Sequence, residues 1–285
     1  MIRIISDSTC DLSPELIQRY DISILPLHIL LGEEEYEDGL GIGPDEIYRW
    51  SDKHHMTPKT SAPSLEHSIE LMQPILEKGD EIICFSISES MSTCGNVMRL
   101  AAEELEAEDR VTVVDSANLS TGIGLLVIEA AIMAANGKSR EDIITRIEEL
   151  KPLVRSSFVV DTMVYLQRGG RCSSITALAG TALKIHPEIM VKDGAMIPGK
   201  KYRGKMGHVI EKYVRDLEEE LVHAKSDRVF ITHSGCQEEI IQIIKQYLEG
   251  LNVFQEILIT RAGSVISSHC GPGTLGVLFI AKEGS

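Results

Sequence analysis

Apolar residues in this chain come in short, mostly unbroken runs that alternate with longer stretches of helical spacing. Residues 2–5, 82–85 and 110–115 are runs of the first kind and read as buried strands. Polar loops follow them: Ser6-Asp7-Ser8-Thr9-Cys10-Asp11, then residues 86–95, then Asn118-Leu119-Ser120-Thr121-Gly122-Ile123-Gly124. Between the runs lie helix signals. Ser13-Pro14-Glu15 pairs a capping hydroxyl with proline at the first helical position. Ser64 caps a helix over 65–78, and Gly79 suits the position just past its end. Val97, Ala101 and Leu105 fall four apart, an apolar helix leads to Asn136-Gly137, and Ser139 starts another helix that ends near Leu150. Residues 22–31 alternate weakly around Pro26 and predict a bent or edge strand. Residues 44–50 predict a short helix, and Pro58 and Pro63 make 57–64 a stiff extended loop.

Strand and helix in alternation predict a parallel α/β sheet for the first 150 residues, with ligand-binding loops beyond the carboxyl ends of the strands. Past Pro152 the pattern becomes α+β. Residues 157–160 read as a strand and 164–171 as a basic glycine turn. Residues 173–182 read as a small-residue helix. Asp193-Gly194 between apolar triplets is a hairpin signal. A helix over 209–224, a strand over 229–232, a helix over 238–248 and strands over 257–260 and 275–281 complete the chain. The expected division is a domain of residues 1–153 and a second of 154–285.

Composition narrows the function. A net charge of −15 over 285 residues argues against a nucleic-acid surface and against anionic lipid headgroups. With an acidic residue at position 7 no leader is expected, and the apolar stretch 123–135 is too short to span a bilayer and contains Glu129. Six scattered cysteines without a CxxC pair suit reduced thiols, hence a cytoplasmic protein. No P-loop, no strand-following GxGxxG and no zinc spacing occurs, so no metal or cofactor is expected.

The hydroxyl-rich stretch 86–95 has four serines and no lysine or arginine. Lying between a strand and a helix, it offers hydroxyls and free N–H groups to an anion, although capping and turn formation account for such serines as well. Thr60 with Ser61 is a second hydroxyl pair. His269, beside Gly271-Pro272-Gly273, reads as a loop histidine outside any regular helix. Arg168 and Arg171 flank two glycines and suit a carboxylate or phosphate. Ser92 with His269 also permits a nucleophile–base pair, the serine-type acyl hydrolase or acyltransferase reading. No GxSxG elbow surrounds Ser92. A binder of some other small anion is the third reading.

Seven segments in order resemble the DegV family, the bacterial fatty-acid-binding proteins that serve fatty acid kinase. They are Ile5-Ser6-Asp7-Ser8-Thr9-Cys10-Asp11-Leu12, Thr60-Ser61-Ala62-Pro63-Ser64, residues 86–92, Val113-Val114-Asp115-Ser116, Tyr165-Leu166-Gln167-Arg168-Gly169-Gly170-Arg171, Leu183-Lys184-Ile185-His186-Pro187 and Ser268-His269-Cys270-Gly271-Pro272-Gly273. The resemblance implies a two-domain fold with an acyl chain buried between or beneath the domains, and a non-catalytic role. By the same resemblance Thr60, Ser92 and the N–H of Thr93 hold the lipid carboxylate, with Ser61, His269 and Arg171 beside it. It implies a long-chain fatty acid as ligand and a separate ATP-dependent fatty acid kinase subunit as partner, to which the carboxylate is presented. The basic run 200–205 with Arg168 is the expected partner surface. Helices 123–135 and 175–183 are candidates for the tail lining, and ordinary core accounts for both as well. The sequence departs from the family pattern at Met91-Ser92-Thr93-Cys94-Gly95, where Thr93 replaces a glycine.

Overall fold

The computed structural model describes residues 1–171 and 185–284. Its first half runs β1 (Ile2–Asp7), α1 (Pro14–Arg19), β2 (Ile22–Leu25), β3 (His28–Leu31), β4 (Glu34–Glu37), α2 (Pro44–His54), β5 (Lys59–Ser61) and α3 (Leu65–Glu77). It continues with β6 (Glu81–Ser86), α4 (Cys94–Glu104), β7 (Val111–Asp115), α5 (Thr121–Ala135) and α6 (Arg140–Leu150). The second half holds β8 (Val154–Val159), α7 (Val164–Arg168), β9 (Ile185–Lys192), β10 (Ala195–Arg203), α8 (Met206–Asp216) and α9 (Glu218–Val222). β11 (Ala224–His233), α10 (Glu238–Gly250), β12 (Glu256–Arg261), α11 (Ser264–Cys270) and β13 (Leu275–Ala281) follow.

The apolar runs form a parallel sheet in the order β2-β1-β6-β7. Ile82, Ile83, Cys84 and Phe85 of β6 are all fully buried, as both faces of a parallel sheet must be. The caps act as the spacing predicts. The N–H groups of Leu16, His67 and Asp142 donate to the hydroxyls of Ser13, Ser64 and Ser139. The predicted bent strand 22–31 is two strands in two sheets. Pro26 cannot donate to a ladder, so pairing with β1 stops at Leu25 and β3 turns into a small antiparallel sheet, β4-β3-β5. There Ile29 faces Thr60, so the stiff 57–64 segment carries a three-residue strand.

The second half builds a six-stranded sheet in the order β10-β9-β8-β13-β11-β12, parallel between β11 and β12 and antiparallel elsewhere. Asp193 and Gly194 have φ of 50° and 79°, the left-handed pair that a tight two-residue hairpin requires. The 209–224 helix is broken into α8 and α9, and 164–168 is a short helix rather than a turn. The expected helix at 173–182 lies outside the described residues.

Helix α5 is apolar on every side because it packs against strands of both large sheets. Its Glu129 accepts from Arg228 (2.5 Å) and Lys225 (2.8 Å) of β11, so the charge that interrupts the apolar stretch is paired. One hydrophobic core runs through residues of both halves of the chain.

Candidate functional site

The loop after β6 is held by acids at the ends of its neighbours, the buried Asp7 of β1 and the half-buried Asp115 of β7. The Ile87 N–H donates to Asp7 Oδ2 (2.7 Å) and the Glu89 N–H to Asp115 Oδ1 (3.3 Å). Two of its serines are spent on structure. Ser88 Oγ donates to the Gly194 carbonyl (2.6 Å), and Ser90 Oγ donates to the same oxygen, fastening the hairpin tip to this loop. Ser92 is left facing a cavity.

That cavity has a volume of about 50 Å³ and is lined by Thr60, Ser61, Ser92, Arg171 and His269 together with apolar side chains. Five of the six residues singled out in sequence therefore share one space, brought from β5, the 87–93 loop, the turn after α7 and α11. Thr93 is not in the lining. It is exposed at the N-cap of α4, with φ −93° and ψ 13°, which a β-branched residue adopts without the left-handed strain that would demand glycine. The apolar wall includes Leu27, Met91, Leu119, Leu166, Met196 and Ile266. A second cavity of about 30 Å³ adjoins it, sharing Leu119, Ile266 and Cys270 and reaching Phe158, Gly276 and Leu278. Of the two readings of 123–135, the core holds: that helix is consumed between the sheets and contributes nothing to either cavity. The other candidate lining helix, 175–183, lies outside the described residues.

His269 is the main surprise. It belongs to a helix, the last turn of α11, and not to a loop. Ser-Val-Ile-Ser-Ser-His-Cys is poor helix material, and its start is stabilised from far away in sequence. Asp11 Oδ1 accepts from the Gly263 N–H (2.8 Å) and Asp38 Oδ1 from the Ser264 N–H (2.7 Å). Burial raises the pKa of both carboxyls. Gly271 ends the helix with φ 75°, and a Cβ there would lie 2.5 Å from the Tyr165 ring. Gly169 leaves room for the imidazole itself, since a Cβ would meet His269 Nδ1 at 2.3 Å.

Thr60 Oγ1 and His269 Nε2 are hydrogen-bonded at 2.8 Å. The other ring nitrogen, Nδ1, is buried without a partner among the described residues. Burial, then the nearby Arg171 charge, hold the imidazole down at about 4, so it is neutral near pH 7. Arg171 is exposed at the rim and donates to the Gly169 carbonyl (2.9 Å). Ser92 Oγ lies 3.1 Å from Cys94 Sγ. Ser92 and His269 thus share a cavity but each is bonded to a different neighbour, which disfavours a nucleophile–base pair. The site offers neutral hydroxyl donors, a neutral imidazole and one rim cation above an apolar floor. That combination suits a carboxylate carrying an apolar tail.

The roles of Tyr165, Gly169 and Asp11 are not readable from the motifs that contain them, Asp38 has no local signal as a cap, and Cys94 stands out in sequence only within the segment 91–95 that departs from the family pattern. Among the described residues there is no cluster suited to a metal ion, and no helix is long and apolar enough to cross a membrane. Of the basic run, Lys200, Lys201, Arg203 and Lys205 are exposed, on and just past the edge strand β10.

Known proteins share the sequence pattern and fold of this chain. A family model described as "Uncharacterised protein, DegV family" matches residues 1–282. A DegV domain-containing protein of Clostridium perfringens is 34% identical over 283 residues, covering 99% of each chain. A Thermus thermophilus DegV family protein whose structure concerns fatty acid binding aligns with a TM-score of 0.91 at 30% identity, covering 99% of both chains. A stearic-acid-binding protein from Eubacterium ventriosum aligns at 0.87 with 29% identity and the same coverage. Family model, relative and folds coincide over essentially the whole chain, and the protein belongs to the DegV family.

Proposed function

We propose that this protein binds a long-chain fatty acid and presents its carboxylate to a separate ATP-dependent fatty acid kinase subunit, without catalysing the transfer itself. The observation that carries the reading is the Thr60–His269 hydrogen bond inside a cavity that also holds Ser61, Ser92 and Arg171 and whose remaining wall is mainly apolar. With the proton on Nε2, His269 donates to Thr60 Oγ1, and the threonine hydroxyl is free to donate to the carboxylate. Ser92 is the second donor, with Ser61 and Arg171 at the mouth. Thr93 is left outside because its side chain is exposed and absent from the cavity wall. The tail passes Leu119, Ile266 and Cys270 into the second cavity.

Cavities of about 50 and 30 Å³ hold only a few waters, so an acyl chain enters by displacing side chains. Met91 and Met196, unbranched and adaptable, are the wall residues best suited to move. Each buried methylene then contributes about 0.8 kcal/mol. The two-domain division at residue 153 places the head-group hydroxyls in the first unit and His269 in the second. The exposed cations of 200–205 with Arg168 are the surface offered to the kinase, and the cytoplasm is the compartment.

Mass spectrometry of an organic extract of the purified protein tests the reading. A co-purifying long-chain fatty acid is the expected result. No lipid in the extract, together with no binding of added oleate, overturns it.

A further inference from the structure

One neighbour of Ser92 has no role in the carboxylate site as described. Cys94 opens α4 and is fully buried, with its Sγ 3.1 Å from Ser92 Oγ. On its other side the thiol is within hydrogen-bonding reach of the Asp7 carboxyl. Asp7 is itself fully buried at the end of β1. Its Oδ1 accepts from the N–H (3.0 Å) and hydroxyl (2.5 Å) of Thr9, and its Oδ2 from the Ile87 N–H (2.7 Å). The carboxylate is therefore rigidly placed. Burial, followed by the Asp7 charge, pushes the Cys94 thiol up, so it keeps its proton. A thiol has one proton to give, and the adjacent carboxylate is the stronger acceptor. The Ser92 hydroxyl is then left to donate to sulfur. The row reads Ser92 O–H, Cys94 S–H, Asp7 carboxylate.

We propose that Cys94 is a positioning residue for the head-group site: it fixes the direction of the Ser92 hydroxyl from Asp7 and releases the Ser92 proton to an arriving carboxylate. This rests on the fatty-acid reading of the site. Sulfur is the useful atom because it is a weak acceptor. It orients Ser92 in the empty site and competes poorly once a charged oxygen arrives. Serine at position 94 would hold the Ser92 proton in an O–H···O bond, and alanine would leave Ser92 undirected.

The test is oleate binding by calorimetry for wild type, Cys94→Ser and Cys94→Ala, with infrared spectra in the S–H stretching region. The Cys94 band is identified by subtracting the spectrum of Cys94→Ala. Cys94→Ser is expected to weaken oleate roughly five-fold, about 1 kcal/mol, and Cys94→Ala by less. The Cys94 band is expected to shift to higher frequency when oleate binds, because Ser92 leaves the sulfur. In lipid-free protein Ser92→Ala is expected to shift the same band. Unchanged affinity in Cys94→Ser, or a band that oleate does not move while binding proceeds, overturns the proposal. A band unmoved by Ser92→Ala does so even if Cys94→Ser fails to fold. Wild type that binds no oleate strikes instead at the fatty-acid reading, and the lipid-free Ser92→Ala spectrum still judges the row.

Discussion

Placing a carboxylate on the Thr60 hydroxyl changes the surroundings of His269 in a calculable way. In the free protein burial and Arg171 hold the imidazole at about 4, against an ordinary value of 6.5. A carboxylate bonded to Thr60 sits roughly 5 Å from Nε2, two hydrogen-bond lengths bent at Oγ1. At an effective dielectric near 20, one charge at that distance favours the imidazolium by about 3 kcal/mol. That is roughly two pKa units, so His269 should titrate near 6 in the loaded protein. The consequence for stability has a definite sign. Because the folded value lies below the unfolded one, the unfolded chain binds more protons between pH 6.5 and 4. The stability that neutral His269 contributes is full above that window and falls by about 3 kcal/mol as pH drops through it. A bound carboxylate narrows the window, so lipid protects most against acid. The assay is an NMR pH titration of ring-labelled histidines, with and without saturating oleate, the His269 resonance being assigned from His269→Gln. A His269 midpoint that saturating oleate leaves unmoved would falsify the placement of the carboxylate on Thr60.

Thr60→Val keeps the shape, removes the hydroxyl and leaves Nε2 unpaired. Loss of one hydrogen bond to a charged group predicts oleate binding weaker by about 1.5–3 kcal/mol, with Thr60→Ser retaining most of the affinity. Equal affinities for Thr60→Val and wild type in the same titration would remove Thr60 from the site. Glu129→Ala removes the close partner of Arg228, whose side chain is 8% exposed, leaves it only Glu256 at 3.8 Å, and should cost about 3 kcal/mol in urea denaturation. A loss below about 1 kcal/mol would show that Lys225, Arg228 and Glu129 do not tie α5 to β11.

Much of the site was readable residue by residue, but not its assembly. Ser92 stood out because hydroxyls between a strand and a helix have a known use. Ser88 and Ser90 looked the same in sequence, and only their contact with Gly194, more than a hundred positions later, separates structural hydroxyls from available ones. His269 was noticed for its glycines yet given the wrong local structure. The caps of α11 come from Asp11 and Asp38, over 220 positions away, and no local pattern reports them. Sequence leaves α5 open between tail lining and ordinary core, because apolar composition says that it is buried without saying against what. It packs between the two sheets, and the cavity walls come from single residues of many elements.

By itself the sequence determined the elements whose physics is local. Continuous apolar runs made the parallel strands, Ser13, Ser64 and Ser139 set helix starts, Asp193-Gly194 set a hairpin, and ordered motifs marked the family. The tertiary structure decided what depends on distant neighbours: that Pro26 sends β3 into a third sheet, that Thr60 meets His269, and that Cys94 stands between Ser92 and Asp7. Capping and periodicity act over a few residues along the chain, whereas desolvation, hydrogen-bond partnering and cavity walls are set by whatever folding brings alongside.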